Sequence, residues 1–89
     1  MNKDQKKPWL RQSGESPLAY DWFQKYLFMG PSRTMRRVVI ESDIRSSYIN
    51  QLRVWSKKHP WRERAQAYDD YLAIKKLEEY EKSYLEGKS

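Results

Sequence analysis

The chain has 89 residues, a net charge of +6 and a charged fraction of 34%, which suits one small domain with a limited core. It has no cysteine and one histidine, His59, so disulfides, thiolate zinc sites and multi-imidazole metal sites are excluded. No apolar run approaches the roughly 18 residues that span a membrane, and residues 1–7 lack the apolar segment of a signal peptide, so we expect a cytoplasmic protein.

The first 30 residues predict a basic arm followed by a helix. Residues 1–15 form the arm, whose basic side chains are Lys3, Lys6, Lys7 and Arg11. The helix begins at Ser16, a good N-cap, and Pro17 suits its first position. Gly30 and then Pro31 predict its end, because glycine can adopt a left-handed cap and proline cannot continue a helix. The expected apolar face consists of Ala19, Phe23, Tyr26 and Leu27.

A second helix is expected from near Thr34 to near Ser42, with Met35, Val38 and Val39 facing inward. Residues 38–40 are the one run for which a strand could be argued. A short turn, Asp43-Ile44-Arg45, should follow. Aspartate stands where such turns usually carry glycine, and aspartate tolerates a left-handed backbone better than most residues.

The third helix is expected to be capped by Ser46 or Ser47 and to end at His59-Pro60. A fourth helix starts near Trp61 and extends as far as Glu86, with an apolar stripe that is regular only up to Leu72. The predicted fold is therefore all-α, a small bundle with a helix-turn-helix at residues 32–58 and a long C-terminal helix. We divide the chain into the arm (1–15), the helix-turn-helix domain (16–72) and a helical tail (73–89) that serves association.

Two short helices joined by a tight turn are the geometry by which many proteins read duplex DNA. The polar face of the third helix carries side chains that can hydrogen-bond base edges. These predicted base-reading residues are Ser46, Ser47, Asn50, Gln51 and Arg53. Neighbouring cations can contact phosphates, and the predicted phosphate-binding residues are Arg33, Arg36, Arg37, Arg45, Lys57 and Lys58.

The charge distribution favours the same interpretation. Residues 31–62 hold eight basic and two acidic residues, a net charge of +6, whereas residues 1–30 carry +2 and residues 63–89 carry −2. A polyanion responds to such a local concentration of charge. The alternatives are a helical bundle whose basic surface has no nucleic-acid role, and a protein that binds a partner through its aromatic, acidic last helix.

An enzyme is not expected. The sequence has no nucleophile–base pair, metal cluster or phosphate loop, and no cofactor is predicted. His59 precedes Pro60 and fits the end of a helix. Asp69 and Asp70 are adjacent and diverge by about 100° on a helix, so they cannot form a carboxylate pair on one face.

Two runs resemble small phage and prophage proteins described as the DNA-binding part of a terminase small subunit. The first is Trp9-x-Arg11-Gln12-x-Gly14-Glu15-Ser16, continued by Ala19-Tyr20, Phe23, Tyr26-Leu27 and Gly30-Pro31-x-Arg33-Thr34. The second is Trp55-Ser56 and then Trp61-x-Glu63-Arg64-Ala65-x-Ala67-Tyr68-Asp69. Together they cover residues 9–72.

The resemblance implies recognition of viral DNA for packaging. Such a subunit forms a ring on DNA and hands it to the large ATPase-nuclease subunit. The chain departs from the family at Asp43 and in its short tail, which leaves little chain for ring contacts. A phage or mobile-element regulator or inhibitor of another protein is the second interpretation.

Overall fold

A computed structural model describes residues 7–87 and contains four α-helices. The helices are α1 (Pro17–Leu27), α2 (Met35–Glu41), α3 (Ile49–Lys58) and α4 (Trp61–Gly87). Residues 7–87 contain no strand, which confirms the all-α class, and residues 38–40 are helical. Lys3 and Lys6 of the predicted arm, and the last two residues of the predicted tail, lie outside the described residues.

Two side-chain caps fix where the first helices begin. The Ser16 hydroxyl accepts a hydrogen bond from the Ala19 amide (3.1 Å), with Pro17 at the first helical position. The Thr34 hydroxyl accepts one from the Arg37 amide (3.0 Å). Caps of this kind satisfy amides that the helix leaves without partners, and each is worth about 1 kcal/mol. Between the two helices, Gly30 adopts the expected positive φ of +84°.

The connection between α2 and α3 differs from the predicted short turn. Asp43 has a φ of +55°, as expected for a residue in glycine's place. However, Ser46–Tyr48 form a 3₁₀ turn, and neither Ser46 nor Ser47 caps α3, which begins at Ile49. In this turn the Tyr48 ring lies near two tryptophans, with centroid distances of 5.4 Å to Trp22 and 6.3 Å to Trp55.

The core lies where all four helices meet. Trp61, at the start of α4, is fully buried, and its ring lies 5.7 Å from that of Phe23 and 5.5 Å from that of Tyr26. Leu52 and Val38 are also fully buried, which places one face of α3 and one face of α2 against this cluster. Each such side chain contributes about 1.5–3 kcal/mol through the apolar area that it removes from water.

The segment 7–15 packs against the helices. The Trp9 ring lies 5.4 Å from the ring of Tyr68 and 4.9 Å from that of Tyr71, both on α4. The Tyr20 hydroxyl donates a hydrogen bond to the Trp9 carbonyl (3.0 Å). Glu15 is buried and forms an ion pair with Arg64 of α4 (2.8 Å). This segment therefore closes the bundle over α1 and α4.

The distal segment of α4, residues 74–87, has every side chain exposed. Its large apolar side chains are all more than half exposed, from Ile74 (56%) to Leu85 (70%). The apolar stripe of α4 thus packs on the core only as far as Tyr68, which contributes to the cluster from its edge. Ile74, Leu77 and Tyr80 of the distal segment are therefore not covered by another helix within residues 7–87.

Candidate nucleic-acid interface

Four of the five exposed side chains of α3 form a surface that we call the α3 face: Asn50, Arg53, Val54 and Lys57. Leu52 points into the core, and at about 100° per residue Asn50, Val54 and Lys57 lie within about 40° of the opposite side of the helix. Arg53 lies further round, toward α2. The burial of Leu52 therefore fixes which side chains an external molecule can meet.

Beside this face, Arg36 of α2 and Arg53 of α3 line one groove, which we call the arginine groove. Its volume is about 320 Å³, and its lining also includes Val39, Ile40, Ser46 and Ile49. The two guanidinium groups and the Ser46 hydroxyl thus frame an apolar floor. One predicted phosphate-binding residue and two predicted base-reading residues meet here.

A second groove, of about 470 Å³, collects other predicted residues on a different side of the 3₁₀ turn. It brings together Arg45, Ser47 and Gln51, and its remaining lining is Trp22, Ile44 and Tyr48. We call it the aromatic groove. The predicted base-reading residues are therefore divided: Ser46, Asn50 and Arg53 lie on or beside the α3 face, whereas Ser47 and Gln51 lie in the aromatic groove.

Arg33 does not belong to the exposed set, which corrects the sequence prediction. Its side chain is only 8% exposed and donates two hydrogen bonds of 2.8 Å to the Asp69 carboxylate. It also donates to the carbonyls of Tyr26 (3.0 Å) and Leu27 (2.8 Å). These contacts close the end of α1 onto α4 and use four of the five N–H groups of Arg33, so its buried side chain is poorly placed to bind an external phosphate.

The same pair sets the charge state of both groups. The hydrogen bonds from Arg33 hold the pKa of the Asp69 carboxyl below its usual range, although partial burial opposes the effect. The hydrogen bonds to Asp69 raise the pKa of the Arg33 guanidinium. Arg33 and Asp69 are therefore a fixed ion pair, with no proton to exchange at neutral pH.

Arg37 is also paired, but on the surface. It contacts Glu41 one turn along α2 (2.9 Å) and the Ser32 hydroxyl (2.9 Å), with its side chain 42% exposed. An exposed pair of this kind is worth less than about 1 kcal/mol. Arg37 could exchange Glu41 for a phosphate at little cost, whereas Arg33 could not leave Asp69 so readily.

The remaining predicted phosphate-binding residues are exposed and make no ion pair within residues 7–87; they are Arg36, Arg45, Lys57 and Lys58. Residues 44–62, which include all of α3, contain five basic residues and no acidic one. Lys57 and Lys58 lie in the last turn of α3, where cations favour the helix dipole. This stretch therefore has a high local excess of positive charge.

Two exposed apolar residues belong to this surface and were not predicted. Ile40 is 66% exposed at the arginine groove, and Val54 is 58% exposed at the centre of the α3 face. The sequence signal for Val54 was its separation from Leu52, because residues two positions apart on a helix point to nearly opposite sides. Apolar side chains among unpaired cations give the surface both a charged and a hydrophobic character.

Comparisons with protein-family models, with curated proteins and with solved structures gave no match. None of the described helices combines the length and apolarity that crossing a membrane requires. Residues 7–87 also contain no group of three or more histidine, aspartate or glutamate side chains placed to hold a metal ion. The proposals below therefore depend on the geometry of the surface.

Proposed function

We propose that the chain binds duplex DNA through the α3 face, with the arginine groove beside it. The observation that carries the proposal is the set of unpaired cations on and around α3, with no acidic residue in residues 44–62. Neutralising phosphates releases counterions, which supplies affinity without sequence information. Arg36, Lys57 and Lys58 are assigned this role.

Base recognition is assigned to Asn50 and Arg53. Asparagine can bind adenine and arginine can bind guanine through two hydrogen bonds in the major groove, which is wide enough for an α-helix. Val54 lies one turn after Asn50 on the same face and can contact a thymine methyl group. Ser46 lines the arginine groove and is therefore kept as a proposed DNA contact. Ser47, Gln51 and Arg45 line the aromatic groove and would contact DNA only if that groove also faced it.

The biological role that we propose is recognition of viral DNA for packaging, as in the terminase small subunits that the sequence resembles. In the structure, several of the residues that carry the resemblance stabilise the fold: Ser16 caps α1, Glu15 pairs with Arg64, and Arg33 pairs with Asp69. The resemblance thus supports a shared framework more directly than a shared DNA site. A terminase large subunit is the corresponding proposed partner.

A second candidate is a regulator or inhibitor that binds another protein through the distal segment. The exposed Leu77 (57%) and Tyr80 (66%) favour it, because amphipathic helices dock such residues in a partner's groove. The two candidates use different surfaces. Variants of one surface should therefore leave the other activity unchanged.

Salt-dependent DNA binding tests the proposal. If about five phosphates are neutralised, the logarithm of the binding constant should fall with the logarithm of salt concentration at a slope of about −4 to −5. Lys57→Ala should weaken all sequences equally and reduce the slope by about one, whereas Asn50→Ala should reduce discrimination between sites by about 1–3 kcal/mol. The matched control is Arg11→Ala, because Arg11 is an exposed arginine outside this surface. Absence of binding at low salt would contradict the proposal.

A further inference from the structure

We propose that the distal segment of one copy docks on the α3 face of a second copy, so that the chain assembles head-to-tail. The two surfaces have opposite charge, and each carries exposed apolar side chains. The docking itself does not depend on DNA binding. Its competition with DNA rests on the proposed function.

The distal segment supplies an amphipathic helix that is acidic beyond Leu77. Residues 74–87 contain four glutamates and three lysines, a net charge of −1; Lys75 and Lys76 precede Leu77, and all four glutamates follow it. Glu78, Glu79 and Glu81 make no ion pair within residues 7–87. Leu77 and Tyr80 lie one turn apart and are both more than half exposed. A helix of this composition buries its apolar stripe best on a surface that is basic and partly apolar.

The α3 face and the arginine groove match that description. Arg36, Arg53 and Lys57 supply unpaired positive charge, and Ile40 and Val54 supply exposed apolar area. Among the described residues, no other surface combines exposed apolar side chains with a stretch as basic as residues 44–62. Charge complementarity of this kind orients a partner and raises its rate of association.

The docked segment must come from another molecule. α4 is one continuous helix from Trp61 to Gly87, and its residues 74–87 extend about 20 Å beyond the part that packs on the core. A continuous helix cannot bend back onto α3 without breaking its backbone hydrogen bonds. Two distal segments are less complementary to each other than a segment is to the α3 face, because each segment carries a net charge of −1 over residues 74–87 whereas the face is basic.

Head-to-tail docking leaves one free α3 face and one free distal segment at every step. Such a contact produces a ring if the rotation closes and a filament if it does not. Duplex DNA would compete with the distal segment for the α3 face. The assembled chain would then be a form that DNA disassembles, which differs from the ring on DNA that the resemblance implies.

Complementary charge-reversal variants of the full chain test the docking, with mass in solution measured by sedimentation at two salt concentrations. Arg53→Glu/Lys57→Glu alters the face, and Glu78→Lys/Glu81→Lys alters the segment. Each should weaken self-association about tenfold or more, because like charges then meet. Mixing the two variants, or combining all four substitutions in one chain, should restore it. Arg11→Glu should leave it unchanged.

Each other result contradicts the docking. A monomeric wild-type chain would overturn it, as would a face variant that still associates, which would indicate pairing between distal segments. A segment variant that still associates would indicate contact through another surface. Circular dichroism shows whether the variants are folded. Adding duplex DNA to the wild-type chain separates the two proposals. A chain that assembles but does not bind DNA contradicts only the proposed function.

Discussion

The Arg64 guanidinium lies 3.9 Å from the centroid of the Phe23 ring while it donates hydrogen bonds to both carboxylate oxygens of Glu15 (2.8 and 3.0 Å). It also donates to the carbonyls of Pro8 (2.7 Å) and Leu10 (3.1 Å). One buried cation thus joins α4, α1 and the segment before α1. Lysine could not replace it, because this arrangement uses a planar group with several donors.

Removing the Glu15 carboxylate should destabilise the fold strongly. The side chains of Arg64 and Glu15 are only 4% and 0% exposed, so Glu15→Ala leaves an uncompensated buried charge. Loss of one partner from such a pair costs about 3–5 kcal/mol. Denaturant unfolding measures the change. Glu63→Ala, at an exposed site on α4, should change stability by less than about 0.5 kcal/mol, and equal effects would contradict this account.

The Arg33–Asp69 pair predicts an acid-sensitive part of the stability. Because the folded-state pKa of Asp69 lies below its unfolded value, the pair's contribution is present above the unfolded pKa. It is lost as pH falls through the folded pKa. Asp69→Asn should therefore lower stability at neutral pH, by about 1.5–3 kcal/mol, and should flatten its decline in acid. Unfolding measured across the acid range checks both effects.

The helix starts were predictable because their signals are local. Ser16 and Thr34 act on amides three residues ahead, so the sequence contains the whole interaction. The role of Arg33 was not predictable, because Asp69 is 36 positions away and an unpaired arginine looks the same in the sequence. The Glu15–Arg64 pair, 49 positions apart, has the same explanation.

The candidate site was predictable in part. The burial of Leu52 followed from the apolar spacing of α3, and it places Asn50 and Lys57 outside. The prediction that Ser46 or Ser47 caps α3 was wrong, because packing of Tyr48 between Trp22 and Trp55 favours a 3₁₀ turn there. Side-chain packing between distant residues decides such a turn, and the local sequence does not encode it.

Asp43 should limit stability through its backbone. A φ of +55° is unfavourable for any side chain with a Cβ atom, by about 1–2 kcal/mol. Asp43→Gly should relieve most of this strain and raise the midpoint of denaturant unfolding. Asp43→Ala should lower it, since alanine keeps the strain and tolerates a left-handed backbone less well than aspartate. A stabilising alanine variant would show that the left-handed backbone is not the cause.

Deleting residues 74–89 should leave the domain folded, because the deletion removes no buried side chain among the described residues. The core cluster ends on α4 at Tyr68, and Leu72 beyond it is 45% exposed. The midpoint of thermal unfolding should change little, and near-ultraviolet circular dichroism should keep the signal of buried Trp61 and of the three half-buried tryptophans. DNA binding, if it uses the α3 face, should persist in the truncated chain or become tighter, because the competing acidic segment is absent. Self-association should disappear. A truncated chain that unfolds would show that the distal segment stabilises the core, and one that still associates would move the contact to another surface.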